Sequence, residues 1–330
     1  MSLESAMGRL AFAILAVAIT VATAAAQTSG SNWPARPIHL IVPFPAGSSS
    51  DIVARIVAQR LGDRLGQQLV VDNRPGASGN LGTEAVAHAE PDGYTLGLAN
   101  TSTHTLSPSL MAKPTYDPLK DFAPISMIGA SPFVLAAYPG VSAHDVGELI
   151  ALAKAKPGKL TFAEAGPATL ANLAGVLFCK MANIEITPVS YKGSEQEILD
   201  VIAGRVDMAF ATIPPTLQLI HDGKVRAIAV TGARRSPALP DVATAAEAGL
   251  SGYESVLWQA LYAPAGTPAA IVARLNAEVT EILHGPDAIG ALAKLGVEAD
   301  PSTPQQLADR ITADLKKWHE VIVSAGIQPQ

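Results

Sequence analysis

The chain has 330 residues, 48% of them hydrophobic and 16% charged, with a net charge of -6. That balance excludes disordered and fibrous chains and describes a folded protein with a large apolar interior. The acidic total also argues against nucleic-acid and anionic membrane surfaces, both of which require a basic face.

In chain order, the first feature is an export pattern. Arg9 precedes an apolar run over residues 10–21, and small residues end at Ala26 before the polar stretch that starts at Gln27. The run is shorter than the roughly 20 residues a membrane helix needs. Residues 1–26 are therefore expected to be a signal peptide cleaved near Ala26, and the mature protein to be periplasmic. Met7 is an alternative start that places the positive charge directly before the apolar core. What remains after cleavage is too long for one small core and suits two lobes.

Short β-branched runs then alternate with helical patterns: 38–42 before a helix from Asp51, 69–71 before a helix from Asn80, and 94–99 before 105–111. Such alternation builds a parallel sheet covered on both faces. An extended run over 125–138, interrupted by Gly129 and Pro132, leads into a second unit: 145–155, 160–163, 170–181, 194–203, 206–210 and 225–230. A strand over 258–263 and helices over 268–283, 287–295 and 304–323 close the chain. The expected fold is α/β with two lobes, each a mixed sheet flanked by helices. Lobe I takes 27–130 plus 231–330 and lobe II takes 131–230, hinged where the two long β runs cross.

In open α/β sheets, ligands bind at the carboxyl ends of strands, where the following helices begin. The first such loop runs from Pro43 to Asp51 and includes Phe44, Ala46, Gly47, Ser48, Ser49 and Ser50. Ser48 to Asp51 has the form of a capping box. The free amides of the helix start, with the hydroxyls of Ser49 and Ser50, form a cradle suited to a carboxylate. The helix dipole supplies only about 0.3–1 kcal/mol to such a site. Charge-assisted hydrogen bonds at about 1.5–3 kcal/mol each must supply the rest.

The second loop spaces Gly76, Gly79 and Gly82 as G-x-x-G-x-x-G, which is not the dinucleotide fingerprint, so no nicotinamide cofactor is expected. A tight turn with glycines at positive φ explains it equally well. The third, 100–104, concentrates polar side chains, among which Thr101 and Ser102 are candidate ligand contacts and His104 is read as structural. In the second unit the matching positions are 164–169, Tyr191 with Ser194, and Thr212. Thr169 and Ser194 each precede a helical pattern, so capping is their default duty.

Catalysis and metal binding have no motif to carry them. The seven histidines show no zinc-binding spacing, the single Cys179 lies in an apolar stretch, and there is neither a nucleophile elbow nor a P-loop. Asp72, Asp92, Asp117 and Asp207 fall at turns or in strands, where solvated or capping carboxylates are ordinary.

Several blocks in fixed order resemble one known group. They are WPARPIHLIVPFPAGSSSDIVAR, VVDNRPGASGNLG, PDGYTLGLANTSTH, VSYKGSEQEILDVIAGRVDMAFA, LPDVATAAEAGL and APAGTP, from about Trp33 to the C-terminus. The chain resembles the Bug or TctC family, extracytoplasmic solute receptors of tripartite tricarboxylate transporters. The resemblance implies a non-enzymatic, cofactor-free and metal-free periplasmic binding protein of the Venus-flytrap, type II-like kind. It would be a monomer that captures a small carboxylate for membrane permease subunits. It also implies first-lobe contacts by Phe44, Ala46, Ser48, Ser49, Ser50, Asp51, Thr101 and Ser102, and second-lobe contacts by Gly166, Pro167, Ala168, Thr169, Tyr191 and Thr212. The family's usual pattern has serine, glycine and histidine where this chain has Glu164, Ala168 and Asn172, and glycine where it has Ser48 and Ser78. An inward Glu164 would repel a second carboxylate, which favours a monocarboxylate, an aromatic acid or a ligand with an amine. The alternatives are a secreted α/β hydrolase and a ligand-presenting sensor subunit.

Overall fold

The computed structural model describes residues 33–164, 169–191 and 194–329; the expected signal segment, residues 1–26, lies outside them. The first unit opens with β1 (Ile38–Val42), α1 (Ser49–Leu65), β2 (Leu69–Asn73), α2 (Asn80–Ala87) and β3 (Thr95–Asn100). A wide turn over Ser102–Leu106 runs into the short α3 (Ser107–Leu110), where the sequence pattern predicts one helix. The 16-residue strand β4 (Phe122–Ala137) follows.

The second unit contains α4 (Val146–Ala155), β5 (Thr161–Glu164), α5 (Leu170–Ala182), β6 (Thr187–Ser190), α6 (Ser194–Ile202), β7 (Met208–Thr212), α7 (Ile213–His221) and β8 (Arg226–Val230). The chain ends with β9 (Val256–Pro264), α8 (Ala269–His284), α9 (Pro286–Ala293), the two-residue β10 (Glu298–Ala299) and α10 (Pro304–Ser324). Neither β6 nor α7 is apparent from pattern. Pro214 and Pro215 argue against a helix interior but fit a first turn, whose N–H groups have no intrahelical partner anyway.

In the first sheet β1 lies between β2 and β3, parallel to both, and β9 is inserted antiparallel between β3 and β4. In the second, β5 pairs parallel with β6 and β7, and β4 lies antiparallel between β7 and β8. Both sheets therefore share β4: residues 122–132 pair with β9 and residues 133–137 with β7 and β8. The interruptions seen in sequence sit at that handover. A Cβ on Gly129 would come within 2.4 Å of the Glu298 carbonyl oxygen, so glycine lets β10 close on β4. Pro132, with no N–H to donate, marks the last residue of β4 in register with β9.

The second connection is not a strand crossing. β8 pairs with residues 134–137 of β4, its Val230 bridges Thr244, and the chain returns through 231–255. There the Thr231 hydroxyl touches the Phe133 amide at 2.7 Å and the Ser255 carbonyl at 2.6 Å, tying the return segment to β4.

Helix α10 joins both units. A capping box of Thr303 and Gln306 starts it, and Leu307 and Ile311 pack with Trp258 and Tyr262 of the first sheet. Its later turns place Trp318, Val321 and Ile322 in the cluster that holds Phe162 and Phe178 of the second unit. Between these ends Asp314 is buried, accepting from Trp258 Nε1 at 2.9 Å and ion-paired with Arg310 and Lys317. The C-terminal helix thus belongs to neither unit alone.

Candidate functional site

The start of α1 is built from its own residues outward. Gly47 adopts φ 82, the turn lets the Ser48 amide donate to the Pro45 carbonyl, and Ser48 Oγ caps the Asp51 amide. Asp51 reaches back one residue further than a capping box does, accepting from the Gly47 amide at 2.8 Å. Its other partners are Arg55 Nε at 3.0 Å and Asn73 Nδ2 at 2.9 Å. Burial raises the Asp51 carboxyl, but Arg55, the Gly47 amide and Asn73 together hold it below its ordinary value. A buried acceptor with three donors is a loop clamp; Asp51 positions the site and has little left to offer a ligand.

What the clamp leaves open are donors. Among the described residues no group accepts from the amides of Ser49 or Ser50, the first two residues of α1. Ser49 is exposed and Ser50 is buried, while Ala46 and Gly47 are exposed beside them. Successive amides aimed along a helix start are the arrangement that holds an oxyanion.

The second glycine loop buttresses the first. Asn73 Nδ2 also donates to the Phe44 carbonyl at 3.0 Å. A Cβ on Gly82 would lie 2.8 Å from Pro43 Cα, and one on Gly79 would lie 3.3 Å from Phe44 Cζ. The spacing of these glycines is set by one loop backing onto another. Asn73 opens this second candidate loop but is given no ligand role by the sequence; an amide side chain ending a strand beside Arg74 is a turn signal.

At the end of β3 most of the polar cluster is spent on structure. Thr101 is fully buried; its Oγ1 donates to the Val256 carbonyl at 3.2 Å and accepts from the Trp258 amide at 3.0 Å, pinning β3 to β9. Asn100 and Thr103 bond each other, and Thr103 Oγ1 lies 3.0 Å from His104 Nδ1. Burial drives the His104 pKa down to about 3, so the ring is neutral among Tyr116, Phe122 and Tyr262. Ser102 is half-buried, with no hydrogen bond to its hydroxyl among the described residues, and stays available.

In the second unit, Thr169 caps α5 by accepting from the Asn172 amide at 3.2 Å. Tyr191 donates its hydroxyl to Asp200 at 3.0 Å, and its amide bonds the Glu164 carbonyl. Thr212 is exposed at the start of α7 and makes no side-chain cap. Gly166, Pro167 and Ala168 lie outside the described residues. Glu164 is buried and takes the Ser190 hydroxyl. Glu197 of α6, a residue missed in sequence, is buried nearby: burial pushes its carboxyl up and Glu164 pushes it further. Its signal was present, since Glu197 lies one helical turn before the buried Val201.

Among the described residues no group of three His, Cys, Asp or Glu side chains could hold a metal, and no helix is long and apolar enough to cross a membrane. The surface carboxylates at turns do as expected: Asp92 accepts from the Tyr94 amide and Asp117 from the Leu119 amide. Two α/β sheets joined through a common strand, with open amides at a helix start, are an arrangement suited to holding an anionic solute.

The sequence matches the TctC family, described as the tripartite tricarboxylate transporter family receptor, over residues 53–327. It is 38% identical over 316 residues to a UPF0065 protein from the tcbD-tcbE intergenic region of a Pseudomonas species, covering 96% of this chain and 94% of that one. It is 37% identical to Protein BugT of Bordetella pertussis, covering 95% and 97%. Among solved structures, R. palustris Rpa4515 with adipate superposes with a TM-score of 0.71 at 35% identity, covering 91% of this chain and all (100%) of that one. MatC from Rhodopseudomonas palustris with bound malate gives 0.67 at 32% identity, covering 88% and 100%. The chain belongs to the tripartite tricarboxylate transporter receptor family, a class of periplasmic solute receptors that serve membrane permeases rather than catalyse reactions.

Proposed function

We propose that this receptor captures a small organic carboxylate, mono-, di- or aromatic, at the start of α1 and delivers it to the permease subunits of a tripartite transporter. The carrying observation is the pair of unpartnered amides at Ser49 and Ser50, held in place by the Asp51 clamp. Phe44, Ala46, Ser48 and Ser102 complete the first-lobe side, and Gly166, Pro167, Ala168, Thr169, Tyr191 and Thr212 the opposite side. Asp51 and Thr101 act as positioning residues. The lobes are 27–130 plus 231–330, whose last helix α10 also packs on the other lobe, and 131–230, closing about the β4 handover, in a monomer released by cleavage near Ala26. The solved relatives with adipate and malate support a carboxylate as the ligand class.

Glu164 ends β5, and Glu197 of α6 is buried near it. An acidic wall disfavours a second carboxylate and suits a monocarboxylate or an acid bearing an amine. A thermal-shift screen of the processed protein against mono-, di-, tri- and aromatic carboxylates tests this. A ligand at about 100 times its Kd adds about 2.7 kcal/mol, and tricarboxylates should rank last. Ser49→Glu should abolish the shift while the unliganded protein melts as before. Retained binding in that variant overturns the site, and turnover of a bound compound overturns the function.

A further inference from the structure

A cavity of about 870 Å³ is lined by none of the residues assigned to the carboxylate site, although its Ile213 directly follows Thr212. Ile213 and Leu217 of α7 form one wall, and Leu283, Ile289 and Val297 from α8, α9 and the approach to β10 form the other. The walls meet at a fixed point, because a Cβ on Gly296 would lie 2.5 Å from Pro214 Cγ. The cavity is therefore a built feature between a helix that follows the second sheet and helices that cover the first.

Three features of its lining call for an occupant. Ile289 is a large apolar side chain left 45% exposed. Glu298 has a buried Oε1 with no donor among the described residues, although Ser236 hydrogen-bonds its carboxyl group. Lys294 has no ion-pair partner among the described residues, whereas Arg234 and Arg235 pair with Asp300 and Glu247. An orphaned buried acceptor is costly unless a donor arrives, and an exposed apolar wall gains when it is covered.

We propose that this cavity is a second ligand site for an amphipathic organic acid. An alkyl or aryl body covers Leu217, Leu283 and Ile289, a hydrogen-bond donor on that body meets Glu298, and the acid group pairs with Lys294.

The test is a fluorescence titration of the processed full chain with anilinonaphthalene sulfonate, which joins an aryl body, an N–H and an acid group. One saturable enhancement is expected in the wild type and in Ser49→Glu. Ala293→Trp, which fills the cavity, should abolish it, and Lys294→Glu should weaken it about tenfold, the equivalent of one lost charge-assisted contact. Lys294 is exposed, so its variant reads the site even if the tryptophan variant fails to fold. Absence of a saturable signal overturns the proposal. So does an enhancement that survives Lys294→Glu unchanged, or one that disappears in Ser49→Glu.

Discussion

Asp51 shows how a carboxylate in a binding loop serves the loop before it serves a ligand. It accepts from Gly47, Arg55 and Asn73, so deleting it leaves three donors around the loop without their shared acceptor. Asp51→Ala should lower stability by about 1–2 kcal/mol, measured by chemical denaturation, because the loop loses three charge-assisted hydrogen bonds whose donors are partly open to water. The same variant should lose the ligand-induced thermal shift, since the turn that aims the Ser49 and Ser50 amides is no longer clamped. A variant with wild-type stability would mean the loop holds its shape by other contacts.

At the scale of elements, the cluster at the end of β3 separates into a pin and a contact. Thr101→Val keeps the shape of the side chain but breaks both bonds to β9. It should cost about 1–2 kcal/mol with little change in ligand affinity. Ser102→Ala should do the reverse, leaving stability near wild type and weakening binding. Calorimetric melting and isothermal titration on the two variants distinguish these roles, and equal effects on both quantities would refute the division. Helix α10 carries the corresponding pin on the C-terminal side, where Asp314 holds Trp258, Arg310 and Lys317 together. Burial raises its carboxyl, yet Lys317 and Arg310 bring it below the ordinary 3.8. A depressed acid contributes stability that is present above that ordinary value and lost as pH falls through the lower folded value. Asp314→Asn should therefore lower stability at neutral pH and flatten the loss of stability below about pH 4, read from melting curves across the acid range.

For the whole molecule, one strand shared by two sheets leaves few covalent routes along which the units can move. The proposed closure would bend the chain where Thr231 ties β4 to the 231–255 return. α10 spans the join and restrains it. Small-angle scattering should show a smaller radius of gyration on addition of a bound carboxylate, and no contraction in Ser49→Glu. A ligand that raises the melting temperature without contraction would place binding in one unit and remove closure from the mechanism.

Local order was legible in the sequence because its causes are local. Ser48 as a helix cap, the helical spacing of Val53, Val57 and Leu61, and the β-branched runs of β1 and β4 act over one to four residues, so they can be read along the chain. The loop before α1 was legible for the same reason, and the ordered motif blocks placed the chain in its family. Tertiary structure alone decided which partner each strand takes: β9 enters between β3 and β4 through contacts far apart in the chain, with no local signature. It also decided which polar residues are free. Asp51 and Thr101 are spent on partners brought in by folding, Glu197 is buried beside Glu164, and Ser49 and Ser50 keep open amides. A side chain's chemistry is written at its own position, but its availability depends on what distant segments bring to it.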